Sequence, residues 1–482
     1  MTPFAAESAR CRAAQAGWAT CSPGDRLRPV REFRHLLVER ADELTAAVRD
    51  DVARPPDEVV ATDLLPTAAA AKFLQANARR ILAPRRVGGR PLWLIGCRDT
   101  VYRRPHGVVG LIGTWNYPVF LTAVPVLHAL AAGNGVLWKP SEQTPRTAAV
   151  LHDLFLRAGF PPNLLVLLPG TREAGPLLAE ADVDFVHFTG SETVGRKLAA
   201  RLGERLVPSA LELSGCDAMI VLPDADVAFA ARSAWYGATL NAGQTCMATR
   251  RAFVPRATYG GFVDALKPLA AGAHPVRLVL DAQAEQARRL VAEAADRGCT
   301  VLRSAESSDP AAVLPAVILG ASPDMSVCRE VSFAPLLAVI PYDTVDSAIA
   351  MHNDNPFGLA AAVFAGDPAA GVRVAERLRA GSVVVNDVIV PTAHPATPFG
   401  GRGASGWGVT QGEEGLLQMT VPQVVSTRAG TFRPHVDALL TRDPSAGDVA
   451  RGALRLVHAR TLGDRWRGLK QLVRGIKASG GR

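Results

Sequence analysis

The chain has 482 residues, 48% of them hydrophobic and 20% charged, with a formal net charge of +8. That length and balance suit two or three globular domains around a sizeable core and exclude a small scaffold held together by disulfides. Eleven Lys or Arg stand against four Asp from Gly430 onward, so most of the positive charge belongs to a tail and implies neither nucleic acid nor an acidic substrate.

The N-terminus carries Glu7 and Arg10 and no uninterrupted apolar run, which speaks against a secretory leader and for the cytoplasm. The seven cysteines are odd in number, scattered and without a CxxC pair. Neither a disulfide framework nor a metal site is expected, and a reducing compartment suits a thiolate. Residues 1 to about 82 have helical spacing, broken at Pro55-Pro56. Pro91–Arg104 reads as two short strands around Gly96–Asp99. Pro118–Trp138 has no charge but contains Pro125, His128 and a Gly-Asn-Gly turn, so it reads as a buried helix and a core strand rather than a membrane span.

From residue 105 the order becomes strand, helix, strand, helix. GVVGLIGT, GVLWKPS, LLVLLPG and VDFVHFTGS are short β-rich runs, and a second series follows Glu212: AMIVL, RRAFV, VRLVL, a run ending in AVIL, LLAVI and GSVVVN. This alternation predicts an α/β fold of two tandem parallel-sheet domains, with ligands at the carboxyl ends of the strands and Glu212 at the hinge. Ile389–Gly415 reads as a Gly/Pro-rich loop and arm. In the tail, Leu462, Trp466, Leu469, Val473 and Ile476 repeat at helical spacing beside Arg467, Lys470, Arg474 and Lys477. That basic amphipathic helix could lie on an anionic membrane through 446–478 or dock on the enzyme, and Gly463, Gly468 and Gly475 weaken it.

One stretch concentrates the chemistry. Leu240–Arg251 (LNAGQTCMATRR) places Cys246 after a Gly-Gln-Thr turn, where a sulfur can sit on the floor of a cleft. Most intracellular cysteines are inert small hydrophobes, but this one has company. Asn116 in GTWNYP can donate to an oxyanion, and Glu212 in LELSG is a carboxylate beside an apolar strand that can serve as a base. Lys139 and Glu142 in WKPSEQTP end the next strand, and Phe188–Gly195 (FTGSETVG) places a Gly-Ser turn before a helix, where N–H groups can approach a pyrophosphate. REVSFAPLL and PFGGRGASGWG follow.

In this order and spacing the motifs resemble the aldehyde dehydrogenase superfamily over residues 25–425, most closely its class 3 branch. The resemblance implies NAD(P)-dependent oxidation of an aldehyde, with Cys246 as nucleophile, Asn116 as oxyanion donor and Glu212 as base. It implies NAD, with NADP open, held by Ile112, Trp115, Lys139, Glu142, Gly190, Ser191 and Phe333. Tyr117 and Phe399 would lie at the substrate pocket. It further implies a homodimer and this division: a Rossmann-like cofactor domain at 1–90 and 105–212, a catalytic domain at 213–388, an oligomerisation arm at 91–104 and 389–425, and a tail at 430–482. Departures are Ser214 and Asp217 after LEL, and Val331 where the family places a ribose-binding Glu, with Glu330 one residue early. Two alternatives stay open: acyl transfer to coenzyme A, which needs no hydrolytic base, and a non-catalytic scaffold or membrane adaptor.

Overall fold

Hydrophobic spacing sorts the chain into layers, and the structure, a computed structural model, describes residues 2–91, 94, 96–304, 309–430 and 445–479. Two bodies divide it: the N-terminal residues to Leu82 with Arg104–Val421, and Ala83–Arg103 with Pro422 onward.

In the larger body the expected N-terminal helices are Ala5–Thr20, Pro23–Glu39, Ala41–Val52, Pro56–Val59 and Leu65–Ile81. The break at Pro55-Pro56 is kept, since proline suits the first helical turn but not the interior. Between the last two helices the ladder widens into a π-turn, Val60–Leu64. Six strands follow in the order Gly406–Trp407, Ser209–Leu213, Phe185–Gly190, Val108–Ile112, Gly135–Lys139, Leu165–Leu167, all parallel except the first. Val108–Ile112 and Gly135–Lys139 are buried throughout, because helices cover both faces, and so they read as unbroken apolar runs. Pro118–Trp138 resolves into the helix Phe120–Ala132 and the strand Gly135–Lys139. No described helix is long and apolar enough to cross a membrane.

The second sheet has seven strands, ordered Thr300–Leu302, Ala316–Leu319, Leu336–Tyr342, Thr249–Pro255, Asp217–Val221, Ala360–Phe364, Ser382–Val385, with only Thr300–Leu302 antiparallel. Glu212 lies in the last parallel strand of the first sheet and Asp217 opens the second, so Ser214–Cys216 is the crossover. Among the described residues, one expected strand is absent and one that was not expected is present. Val276–Leu280 makes a single bridge, Val276 with Val313, and its apolar residues pack as loop. Ala360–Phe364 is a strand although its three alanines carry no β preference. Cys246 precedes Thr249–Pro255 and therefore sits at the amino edge of the second sheet.

The smaller body contains a three-stranded sheet of Arg85–Arg86, Cys97–Pro105 and Thr420–Arg428. Cys97–Pro105 is one continuous strand rather than the second half of a hairpin, and residues 92, 93 and 95 lie outside the described residues. Helices Ser445–His458 and Leu462–Ser479 pack against each other as a hairpin.

A buried ion pair ties the N-terminal helices to the segment that follows the strand Val108–Ile112. Asp63 in the π-turn is fully buried, pairs with Arg54, and accepts the N–H groups of Val119 (3.1 Å) and Phe120 (2.9 Å) at the start of the Phe120–Ala132 helix. Arg54 also donates to the carbonyl of Asn116 at 3.1 Å. Removing one partner leaves a buried charge unpaired, so Asp63→Ala is expected to lower unfolding stability by about 3–5 kcal/mol. Urea denaturation measures this, and a loss below about 1 kcal/mol would show that the pair is structurally idle.

Candidate active site

The turn before Cys246 is held in an unfavourable backbone. Asn241 (φ 52°), Ala242 (φ 55°) and Gly243 (φ 75°) are successive left-handed residues. Each non-glycine there costs about 1–2 kcal/mol, so the surroundings must impose the shape. Asn241 Nδ2 donates to the carbonyl of Asn116 at 3.0 Å. A Cβ on Gly243 would meet the Ala334 carbonyl at 2.3 Å, so only glycine lets this turn lie against Ala334-Pro335. Arg250, fully buried, gathers the loop by donating to the carbonyls of Thr245 (2.9 Å), Cys246 (3.3 Å), Ala248 (3.1 Å) and Ser332 (2.8 Å). Cys246 packs with Leu359 and Phe399, and Met247 and Phe333 lie against that cluster. Burial, then the negative charges of Glu212 and Asp217, push its thiol well above the ordinary cysteine range, so the resting sulfur is protonated.

Asn116 and Tyr117 follow the strand Val108–Ile112 and reach the same loop. One of the two Asn116 amide N–H groups donates to the Gln244 carbonyl at 3.0 Å, leaving the other available. The Tyr117 hydroxyl meets Thr245 Oγ1 at 2.6 Å. Cys246 and Tyr117 line a cavity of about 100 Å³ whose walls include Phe120, Leu121, Met247 and Phe399 and contain no Lys, Arg, Asp or Glu. Tyr236 and Val390, also in the wall, are 42% and 57% exposed, which marks the mouth. Arg54 stacks on Tyr117 at 4.5 Å to the ring centre, with its charge committed to Asp63 and Glu58.

Glu212 lines a smaller adjoining cavity with His187 and Thr410; Phe120, Leu121 and Gln411 wall both spaces. Its Oε1 has no hydrogen-bond partner, and burial raises its carboxyl to about 7. The carboxylate and the sulfur are thus electrostatically coupled across shared walls. Ser214, the departure from the family pattern, keeps a backbone open to any residue, and its carbonyl accepts from Ser405 Oγ at 3.1 Å. Gly215 N–H donates to the Cys246 carbonyl at 3.0 Å, closing the crossover onto the Cys246 loop.

A second group lies along the carboxyl edge of the first sheet. Ile112, Lys139 and Gly190 end three neighbouring parallel strands. Lys139 Nζ sits 3.3 Å from Glu142, which also pairs with Arg172 at 3.0 Å. Ser191 caps the helix Glu192–Glu204 by accepting from Val194 N–H. A Cβ on Gly190 would fall 2.4 Å from the Phe188 ring, and Trp115 and Phe333 rings stand 5.9 Å apart. A carboxylate and an ammonium for ribose hydroxyls, a helix N-terminus for a pyrophosphate and an aromatic pair for a flat ring fit a dinucleotide.

The sequence profile of the aldehyde dehydrogenase family matches residues 4–425. The chain belongs to the aldehyde dehydrogenase family. The 4,4'-diapolycopene aldehyde oxidase of a Methylomonas species is 32% identical over 415 residues, 84% of this chain and 78% of its own length. A putative succinate-semialdehyde dehydrogenase [NADP(+)] of Mycolicibacterium smegmatis is 32% identical over 439 residues, 88% of this chain and 84% of its own. The crystal structure of Mycobacterium tuberculosis aldehyde dehydrogenase complexed with NAD+ superposes with a TM-score of 0.83 at 30% identity, covering 88% of this chain and 90% of that one. The reaction of this aldehyde dehydrogenase is the NAD(P)-dependent oxidation of an aldehyde.

Residues that sequence reasoning passed over stiffen the site of this aldehyde dehydrogenase. Arg250 left a trace only as one of two arginines after Cys246, and the Arg54–Asp63 pair and His187 left none, because their partners are distant in the chain. The REVSFAP segment leaves the short helix Ser326–Arg329 at Arg329 and continues as loop. Glu330 is bound by Arg289 and by Gln286 (3.2 Å) on the outer helix Asp281–Asp296, and Val331 offers no carboxylate in its place.

Burying Glu212 without a partner has a cost whose sign can be followed. Its folded-state affinity for a proton is raised, so nothing is lost below the ordinary carboxyl range; the penalty grows as pH rises from about 4.5 to about 7 and is constant above. Glu212→Gln is expected to match the parent in stability at pH 4 and exceed it at pH 8 by on the order of 3 kcal/mol. Denaturant unfolding at the two pH values tests this, and an equal difference at both would remove the assignment.

Proposed function

We propose that Cys246 attacks the aldehyde carbon and that Asn116 Nδ2 with the Cys246 backbone N–H holds the developing oxyanion. The observation that carries this reading is the single loop, Asn241–Arg250, that binds Asn116 and Tyr117 from one side and the Glu212 crossover from the other. Because the resting sulfur is protonated, a base must take its proton, and Glu212 near 7 is matched to that work at neutral pH. When bound, NAD(P) supplies the hydride acceptor; Lys139 and Glu142 would hold its ribose, Ser191 its pyrophosphate, and Ile112, Trp115 and Phe333 its rings. NAD is the preferred form, because Glu142 opposes a 2′-phosphate. With the Cys246 adduct oxidised to a thioester, Glu212 draws a proton from water, which releases the carboxylic acid and restores the thiol.

Cys246→Ala is expected to abolish NADH formation. Glu212→Gln should keep more of the first NADH burst than of steady turnover, whose loss is expected at about 10²–10⁴-fold. Rapid mixing separates the two phases, and steady turnover retained at the parent rate would reassign the carboxylate. Coenzyme A should leave the product a free acid.

The cavity walls support an apolar aldehyde, aromatic or aliphatic, over a semialdehyde. A carboxylate brought among Phe120, Leu121, Met247 and Phe399 would lose its hydration with no cation to receive it. Benzaldehyde and medium-chain aldehydes are expected to exceed succinate semialdehyde in kcat/KM by at least about tenfold; preference for the semialdehyde in steady-state assays overturns this. A homodimer is supported by the edge strand Thr420–Arg428, whose Val424 and Val425 are exposed.

A further inference from the structure

The helices Ser445–His458 and Leu462–Ser479 lie beyond the family match, which ends at residue 425. Two of the three glycines expected to weaken the second helix, Gly468 and Gly475, instead build the seam between the two, together with Gly452 of the first. A Cβ on Gly452 would lie 2.4 Å from Leu472 N, one on Gly468 2.5 Å from Leu456 N, and one on Gly475 2.8 Å from Val449 Cγ2, so the antiparallel backbones approach as closely as glycine permits. Asp448, Gln471 and Arg455 fasten the seam, with Arg455 to Gln471 at 2.9 Å and Gln471 to Asp448 at 2.9 Å.

With glycine filling the seam, the large apolar side chains turn outward. Leu462 (83%), Trp466 (58%) and Ile476 (54%) are exposed on the second helix, and Leu454 (63%) on the first. At 100° per residue the apolar stripe of each helix lies roughly 110–150° round from the seam in the same sense, which in an antiparallel pair puts both stripes on one side. Lys470 sits 5.6 Å over the Trp466 ring, and Arg467, Arg474 and Lys477 follow on the flank. Residues 445–479 carry eight Lys or Arg against two Asp.

We propose that this hairpin is a peripheral membrane-binding element that lays its apolar face, centred on Leu462, Trp466 and Ile476, on an anionic lipid surface. An aromatic ring beside lysines whose stems are apolar and whose heads are wet suits the headgroup boundary. Charge selects this occupant, since a surface with this excess of cations repels a second copy of itself and attracts anionic headgroups. Neither helix is long and apolar enough to span, so the hairpin lies on the surface rather than crossing it.

The full chain is to be sedimented with vesicles of phosphatidylcholine alone and of phosphatidylcholine mixed with phosphatidylglycerol. It should pellet with the mixed vesicles, stay largely in solution with the neutral ones, and be released by added salt. Leu462→Asp with Trp466→Asp should abolish pelleting, each of Lys470→Gln and Lys477→Gln should weaken it about fivefold, and aldehyde oxidation without vesicles should be unchanged in all. Parent protein that stays in solution with the mixed vesicles, or a Leu462/Trp466 variant that pellets as well as the parent, overturns the proposal. So does light scattering in which the same variant turns a dimer into a monomer while neither form pellets, which would make the face a contact between copies.

Discussion

The site depends on one steric fact, the wedge of Gly243 under the Ala334–Pro335 backbone. Three left-handed residues in a row would relax if the chain were free, and two of them are not glycine. They persist because the Asn116 carbonyl, the Ala334 carbonyl and the Arg250 guanidinium leave the loop no room for another shape. Strain of this kind keeps the Cys246 sulfur at a fixed position without asking its own side chain to be tethered.

Around that loop the two sheets contribute opposite edges. The first offers carboxyl ends, where Ile112, Lys139 and Gly190 close neighbouring strands, and the second offers the amino edge that follows Cys246. Helix and strand dipoles do little to stabilise charge on the sulfur there, and burial works against it, so the thiol is kept neutral. Glu212 and Asp217 are both raised to about 7 by the same loss of solvent. Arg250 and Arg251, both buried, answer with backbone carbonyls rather than carboxylates as hydrogen-bond partners. The pocket is therefore poor in fixed charge despite four ionisable groups close by, which is the setting in which an uncharged carbonyl compound can be held and polarised.

Much of this was legible in the chain because the signals are local. The strands that end at Ile112, Lys139 and Gly190 are short apolar runs closed by turn residues, and Asn116, Glu212 and Cys246 stand in stretches with recognisable neighbours. What escaped is non-local or compositional. Ala360–Phe364 is a strand by pairing with Asp217–Val221 and Ser382–Val385, not by its own alanines. Arg54 lies in the break before Pro55-Pro56 and Asp63 nine residues on in the π-turn, a stretch whose sequence reads as solvated, and their meaning comes from the Asn116 carbonyl and the Phe120–Ala132 helix. The tail glycines were weighed by intrinsic helix preference, whereas their effect is steric: they let a second helix come close.

The π-turn at Val60–Leu64 bears on how the substrate entrance can change over time. A π-turn accommodates one residue more than the α-helix around it, and Ala61 and Thr62 from that turn line the cavity. Loss of a single codon there would restore an ordinary ladder and swing the preceding side chains by about 100° about the axis, presenting different residues to the opening. The shape of the opening is thus set by a single extra residue in this turn, apart from the loop that carries Cys246.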